Sequence, residues 1–466
     1  MTDVRAFLRR HLVPIGALLL LGCTVIATRH YHQFLTGQAT AFIVVACLSF
    51  LWLTATLWLA STHEDVVVDD PDELAALDAL RVTVVMPVYN EDPETFRRAL
   101  DSIARQTRPV QRVHVVDDGS RTRDCELEVQ RFARHHPWLE VECTRVPNDG
   151  KREAQAVAFR ADPQADVFVT MDSDTVLVPT AIASGLMPFT DPEVTSVAGM
   201  LVGLNRGSGL LTRLVDLGYT ISTLNTRAFQ SRLRSVCVNQ GPLALYRAEV
   251  PRKWLDTYLG QTFLGRRVVS GDDRMLTNFS LMEGRTVLQQ SALGATLLPT
   301  SLSHLTRQRV RWSRSFFRGG MWLIRHLPVT RAAWWIMAWR YVTFCLFTVM
   351  YPTILLVQPV REGYLPIAFF VYICLLSYAK SARYLTVRLE GEPRWSPVLT
   401  YALAPVSTLL HFYLSTLLRY VGLLTVRSTG WGTRAAVEVS LTPTGATAAP
   451  VRLAGDGVAA PSAAGS

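Results

Sequence analysis

The apolar residues of this chain are gathered into runs at its two ends, and that arrangement limits the fold more than any motif. Residues 13–28 and 39–60 carry no charged side chain at all. The second run exceeds the roughly 20 residues that a helix needs to cross a hydrocarbon core. Apolar runs resume at residues 333–357 and 364–378, then at 397–424. Only 18% of the 466 residues are charged, against roughly 25% in ordinary soluble proteins. A wholly soluble or a disordered chain is thereby excluded. Arg5, Arg9 and Arg10 precede the first run, which puts the N-terminus in the cytoplasm, and two crossings return the chain there. A signal peptide is the rival for the first run. It is disfavoured because a second run follows within a dozen residues and no small-residue cleavage site stands between them.

Between these ends, residues 63–303 read as an α/β domain. Short β-branched runs at 82–86, 113–116 and 167–171 alternate with polar helix-forming stretches, which predicts a parallel sheet with crossover helices. The remaining divisions are an N-terminal membrane region (1–62), an amphipathic interface segment (304–330) and a C-terminal membrane region (331–426). A cytoplasmic segment (427–441) and a disordered Ala/Gly/Pro/Thr/Ser tail (442–466) complete the chain. The stretch 397–424 is long for one crossing and short for two, and Pro405 can break it into a hairpin or a re-entrant turn. The seven cysteines form no CxxC pair, so neither a disulfide framework nor a zinc site is expected.

Ligands of open α/β sheets gather at the carboxyl ends of strands, and acidic motifs stand at those ends here. Run 82–86 leads into Tyr89-Asn90-Glu91, run 113–116 into Asp117-Asp118-Gly119-Ser120, and run 167–171 into Asp172-Ser173-Asp174. Val268-Val269-Ser270, read as a further strand end, leads into Gly271-Asp272-Asp273-Arg274. Asp172 and Asp174, two apart after an apolar strand, can both face one hard divalent cation with open positions for phosphate; a solvated Asx-turn is the alternative. Lys151 is the only lysine in the first 250 residues, and in so arginine-biased a chain it suits a point charge near phosphate. Asp273 suits a general base that takes a proton from an attacking hydroxyl, with Asp272 or Arg274 orienting it. The same pair equally suits the N-cap of a helix beginning near Met275.

The net charge of +9 has an uneven source, because no acid occurs between Glu283 and Glu362. Within that stretch residues 305–327 interleave six arginines with Val310, Trp312, Phe316, Phe317 and Trp322. This reads as an amphipathic helix at the membrane interface, with arginine stems snorkelling. Gln308, Arg311 and Trp312 go further: Arg311 can clamp a diphosphate, and Trp312 offers a face to a sugar ring. The segment abuts a membrane span and lacks a nucleic-acid motif, so nucleic acid is set aside.

Taken in order, Tyr89-Asn90-Glu91, Asp117-Asp118-Gly119-Ser120, Asp172-Ser173-Asp174, Gly271-Asp272-Asp273 and Gln308-x-x-Arg311-Trp312 resemble the processive family-2 glycosyltransferases. These are the membrane synthases of cellulose, chitin and hyaluronan. Gly241-Pro242-Leu243, Gln261-Thr262-Phe263 and Trp431-Gly432-Thr433-Arg434 are similar to the hyaluronan synthase subgroup. The resemblance implies a GT-A-like, Rossmann-like α/β domain inserted between transmembrane helices of a multi-pass plasma-membrane protein. It implies that Tyr89, Glu91, Asp117 and Asp118 hold the UDP part of the donor, with Asp172 and Asp174 on Mg²⁺ or Mn²⁺, Lys151 as the nucleotide-side basic residue and Arg274 among the substrate-binding residues. Asp273, with Asp272, would be the base of an inverting displacement. Gln308, Arg311 and Trp312 would form the acceptor and diphosphate platform at the mouth of a membrane channel, and Trp431 and Arg434 would reach the nucleotide from the cytoplasm. The implied partners are UDP-GlcNAc and UDP-GlcA, the growing polysaccharide and membrane lipids, with the enzyme a monomer. One departure stands out: Val238-Asn239-Gln240 precedes Gly241-Pro242 where the family usually has Cys-Ser or Cys-Cys, a stretch facing the acceptor sugar in relatives. A chitin-type synthase, a single-turn transferase on a lipid-linked acceptor and a catalytically dead scaffold are the competing functions.

Overall fold

The computed structural model describes residues 40–352, 357–363 and 367–428. An eight-stranded sheet lies at its centre. Its strands are β1 (Val82–Val88), β2 (Arg112–Asp117), β3 (Glu140–Arg145), β4 (Val167–Met171), β5 (Thr175–Leu177), β6 (Val194–Gly203), β7 (Leu243–Arg247) and β10 (Arg285–Thr296). A two-stranded hairpin, β8 (Thr262–Phe263) with β9 (Arg266–Arg267), stands apart. The spatial order is β3-β2-β1-β4-β7-β6-β10-β5. The three runs expected as strands are strands, with Val84 opposite both Val113 and Val169. The sheet is mixed, however, and not purely parallel. β7 runs antiparallel to β4 and β6, and β5 antiparallel to β10.

Two cores sandwich the sheet, because β1 and β4 are buried on both faces and successive side chains point opposite ways. Val84 and Met86 pack with Phe96, Leu100 and Ile103 of the Pro93–Ala104 helix. Asp92 caps that helix by accepting from Thr95 N at 2.9 Å, and Pro93 opens it. On the other face Val85 packs with Phe159, Phe168, Tyr246 and Phe279. These come partly from the Lys151–Ala161 and Asp272–Glu283 helices.

Residues 268–270, expected to end a strand, are irregular. Arg152 explains this, donating from Nη2 to the carbonyls of Ser270 and Gly271 at 3.1 and 3.2 Å, so a side chain takes acceptors that a ladder would use. The helix after them begins at Asp272, with Gly271 as its N-cap in the left-handed region (φ +84°). Asp272 and Asp273 are therefore first-turn residues, and neither is the cap.

The interface segment forms one amphipathic helix, Leu302–His326, capped by Ser301, whose hydroxyl accepts from His304 N. Further helices span Thr40–Ser61, Ala332–Pro352 and Ile367–Ser381. Among the described residues no single helix is long and apolar enough to cross a membrane. One bent pair, Trp395–Ala402 with Ala404–Leu424, passes that test by length and composition. Its bend of 50° falls next to Pro405, in the first turn of the second piece. The chain thus does not fold back there as a hairpin; a broken span and a re-entrant loop both fit the angle. The 13–28 run and the 427–441 segment lie outside the described residues, apart from Arg427 and Ser428.

Candidate active site

The strand ends and the start of the Asp272–Glu283 helix converge on one ammonium group. Lys151, 15% exposed, sets Nζ 2.5 Å from Asp172 Oδ1 and 3.2 Å from Asp272 Oδ2. A Cβ added to Gly241 would stand 3.3 Å from Lys151 Nζ and 3.9 Å from both Asp172 Oδ2 and Asp273 Cβ, so the Gly241-Pro242 turn lines the same spot. Four sequence-distant motifs, at 151, 172, 241 and 272–273, thereby share one locus. Burial disfavours a charged Lys151, but Asp172 and Asp272 outweigh it and hold the ammonium protonated, above its ordinary value.

The two adjacent aspartates are pushed apart. Burial raises Asp272, yet Lys151 and Arg152 outweigh it and keep that carboxyl below the usual range. Asp273 goes up, through burial first and then the neighbouring Asp272 charge. Its Oδ1 accepts from Arg274 N at 2.7 Å. One carboxylate of fixed charge beside one of raised proton affinity is the division of labour that base chemistry uses.

The acids at the ends of β1 and β2 are built into the backbone. Asp117, 1% exposed, accepts from Ser120 N at 2.8 Å. Asp118 accepts from Asp149 N and Gly150 N at 3.0 and 3.1 Å, tying the end of β2 to the turn that delivers Lys151. Gly119 between them and Ser120 has φ +76°, and a Cβ there would meet Asn148 N at 2.7 Å, so glycine is required. Glu91 Oε2 accepts from Ser173 Oγ at 2.7 Å, linking the first motif to the third. Tyr89 is half-buried on the same loop.

Asp172 and Asp174 are both half-buried just beyond β4, on either side of buried Ser173. Asp172 engages Lys151 through Oδ1, and Asp174 Oδ1 accepts from Thr296 Oγ1 at 3.2 Å. Two carboxylates with oxygen donors only suit a hard Mg²⁺ or Mn²⁺ ion. Among the described residues no group of three or more His, Cys, Asp and Glu gathers for a metal, so water or substrate oxygens would have to complete its shell.

The Leu302–His326 helix docks on the turn at residues 270–273. Arg318 Nη2 donates to Ser270 Oγ at 2.8 Å, and Asn278 Nδ2 to the Gly319 carbonyl at 2.9 Å. Gly271 faces Ser315, whose Oγ would lie 2.3 Å from a Cβ placed there. One to two turns earlier on the helix are Gln308, Arg311 and Trp312. Tyr219 Oη donates to Gln308 Oε1 at 2.9 Å, and its ring stands 5.7 Å from that of Trp312. Arg309 Cζ lies 4.8 Å from the Trp312 ring and 5.1 Å from that of Tyr219. Trp312 remains 38% exposed, its indole available as a surface. Trp431 and Arg434 lie outside the described residues. Sequence reasoning missed Arg152 and Tyr219. Arg152 adjoins the singled-out lysine, whereas nothing local marks Tyr219.

Residues 83–255 match the domain Glycosyl transferase family 2. A hyaluronan synthase of Streptococcus pyogenes serotype M3 is 32% identical over 429 residues, covering 90% of this chain and 96% of that protein. The chain belongs to glycosyltransferase family 2. An N-acetylglucosaminyltransferase of Sinorhizobium fredii is 37% identical to this glycosyltransferase over 249 residues, 53% of this chain and 60% of the relative. Among solved structures, the mannosyltransferase PcManGT from Pyrobaculum calidifontis, in complex with GDP-Man and Mn²⁺, is 19% identical with a TM-score of 0.50. It covers 89% of this chain and 100% of its own, and supports the GT-A-like fold of this family-2 enzyme.

Proposed function

We propose that this glycosyltransferase is a membrane-embedded, processive, inverting synthase that joins UDP-GlcNAc and UDP-GlcA into hyaluronan and passes the chain across the plasma membrane. The observation that carries the reading is the near full-length likeness to a hyaluronan synthase in a chain whose Asp272 and Asp273 are driven to opposite proton affinities. Tyr89, Glu91, Asp117 and Asp118 are assigned to the donor nucleotide, with Trp431 and Arg434 approaching from the cytoplasm. Asp172 and Asp174 would hold Mg²⁺ or Mn²⁺, which when bound would neutralise the leaving diphosphate. Lys151 orients both Asp172 and Asp272.

In the reaction, the acceptor hydroxyl oxygen attacks C1 of the donor sugar from the face opposite UDP. The new C1–O bond forms as the bond to the diphosphate breaks, and the hydroxyl proton passes to the Asp273 carboxylate. UDP leaves with its electron pair, and the configuration at C1 inverts. Gln308, Arg311 and Trp312 are assigned to hold the acceptor end. The apolar ends and the bent pair at residues 395–424 support the membrane assignment by length and composition.

Purified full-length protein in vesicles, given single and paired UDP-sugars with Mg²⁺ or Mn²⁺, tests the reading. High-mass, hyaluronidase-sensitive polymer is expected only when both donors are present. The likeness to an N-acetylglucosaminyltransferase favours one second reading, a GlcNAc-only oligomer. Product from UDP-GlcNAc alone would establish that one and remove hyaluronan.

A further inference from the structure

Phe316, 3% exposed on the Leu302–His326 helix, has three guanidinium groups gathered around its ring. The Cζ atoms of Arg274, Arg340 and Arg419 stand 5.9, 5.2 and 4.7 Å from its centroid. They arrive on three separate helices, Asp272–Glu283, Ala332–Pro352 and Leu418–Leu424. A phenyl ring has two faces, so cation–π attraction offsets only part of the repulsion among three cations. The ion pairs of the described residues include none of the three, and no acid occurs between Glu283 and Glu362. Arg274 is 9% exposed, and its Nε and Nη1 are buried without a hydrogen-bond partner. The charge of Arg340 also reaches Arg227, and burial followed by that charge pushes both Arg227 and Arg274 down to about 10.

Arg274 is buried, with Asp273 as its attracting acid, and Arg340 and Arg419 are half-buried; three cations gathered partly away from water are costly unless a further anion offsets them. Three planar forks are matched to a carboxylate or phosphate. Position decides between the two. Asp273 Cβ stands 3.9 Å from a Cβ placed on Gly241, at the Lys151 locus, while the next residue, Arg274, packs against Gly319 and Phe316. The donor diphosphate belongs on the Lys151 side. What lies on the far side of the base is the acceptor chain. We propose that Arg274, Arg340 and Arg419 form a product-side site that takes a carboxylate of the growing polysaccharide and so selects an acidic polymer. The proposal rests on the polymerising reading above and adds a substrate-selecting element to it.

The test uses full-length protein in phosphatidylcholine nanodiscs and two probes, a GlcA–GlcNAc hexasaccharide and the same hexasaccharide with its carboxyls reduced to alcohols. The wild type is expected to bind the acidic probe roughly tenfold more tightly than the reduced one. Arg340→Gln and Arg419→Gln should each bring that ratio towards unity, with UDP binding in the same samples reporting an intact donor site. Equal wild-type binding of the two probes overturns the proposal, whether or not the variants fold. So does a Gln variant that binds UDP and keeps the preference. Loss of the preference when phosphatidylglycerol replaces phosphatidylcholine assigns the site to a lipid headgroup and also overturns it. The readout is separate from synthesis: two-donor polymer without acidic preference removes this site alone. An acidic preference in an enzyme that makes no polymer supports the site and removes the polymerising reading.

Discussion

Lys151 touches two carboxylates at once, Asp172 and Asp272, and its charge also lowers the proton affinity of Asp273. With Asp273 as the proposed base, which works only when deprotonated, activity should fall as pH drops through its raised value. Lys151→Gln removes a cation that favours the Asp273 anion, so that value must rise further. The acid limb of single-turnover rate against pH is then expected to move to higher pH; an unmoved or lowered limb contradicts Asp273 as the base. Asp273→Asn should keep UDP affinity while transfer falls by roughly 10²–10⁴-fold, the usual contribution of a general base. UDP titration and product counting on one sample check this. The residue types at these positions were legible in the sequence. The opposite shifts of two adjacent aspartates were not, because Asp272 is held down by Lys151, 121 positions earlier in the chain (272 − 151), while Asp273 is raised by burial first.

At the scale of elements, the turn at residues 270–273 is fixed by side chains more than by sheet pairing. Arg152 donates to the carbonyls of Tyr258, Ser270 and Gly271 and to Gln261 Oε1. Arg152→Ala leaves those buried acceptors unmet and should destabilise the enzyme by at least about 2 kcal/mol. Thermal unfolding in detergent, followed by tryptophan fluorescence, measures it. β1, β2 and β4 were readable as strands because burial on both faces demands unbroken apolar runs. The antiparallel course of β7 left no such mark, since a fully buried strand reads alike in either direction. Residues 268–270 misled for a related reason: a short apolar run signals burial, and here the hydrogen-bonding partner is an arginine.

Across the whole molecule, the sheet and the C-terminal helices meet at a buried polar junction. Asp216, fully buried, accepts from Gly203 N and from Tyr384 Oη, both at 2.6 Å. Arg206 pairs with Asp216 and with Glu392. Removing one donor from a buried acid leaves it under-satisfied. Tyr384→Phe is therefore expected to lower stability by about 1–3 kcal/mol while donor binding persists, read by thermal unfolding and UDP titration. An unchanged unfolding midpoint would show that the junction contributes nothing to holding the two parts together.

The sequence by itself determined where apolar runs end and acids begin, which helix is amphipathic, and the order of motifs that marks the family. Those features are local, written in the spacing of side chains along a strand or a helix. The tertiary structure alone decided that Lys151 bridges Asp172 and Asp272, that Tyr219 holds Gln308, and that arginines 274, 340 and 419 surround Phe316. Electrostatic and hydrogen-bond energies change over a few ångströms. They are therefore set by which distant segments pack together, and spacing along the chain carries no record of that.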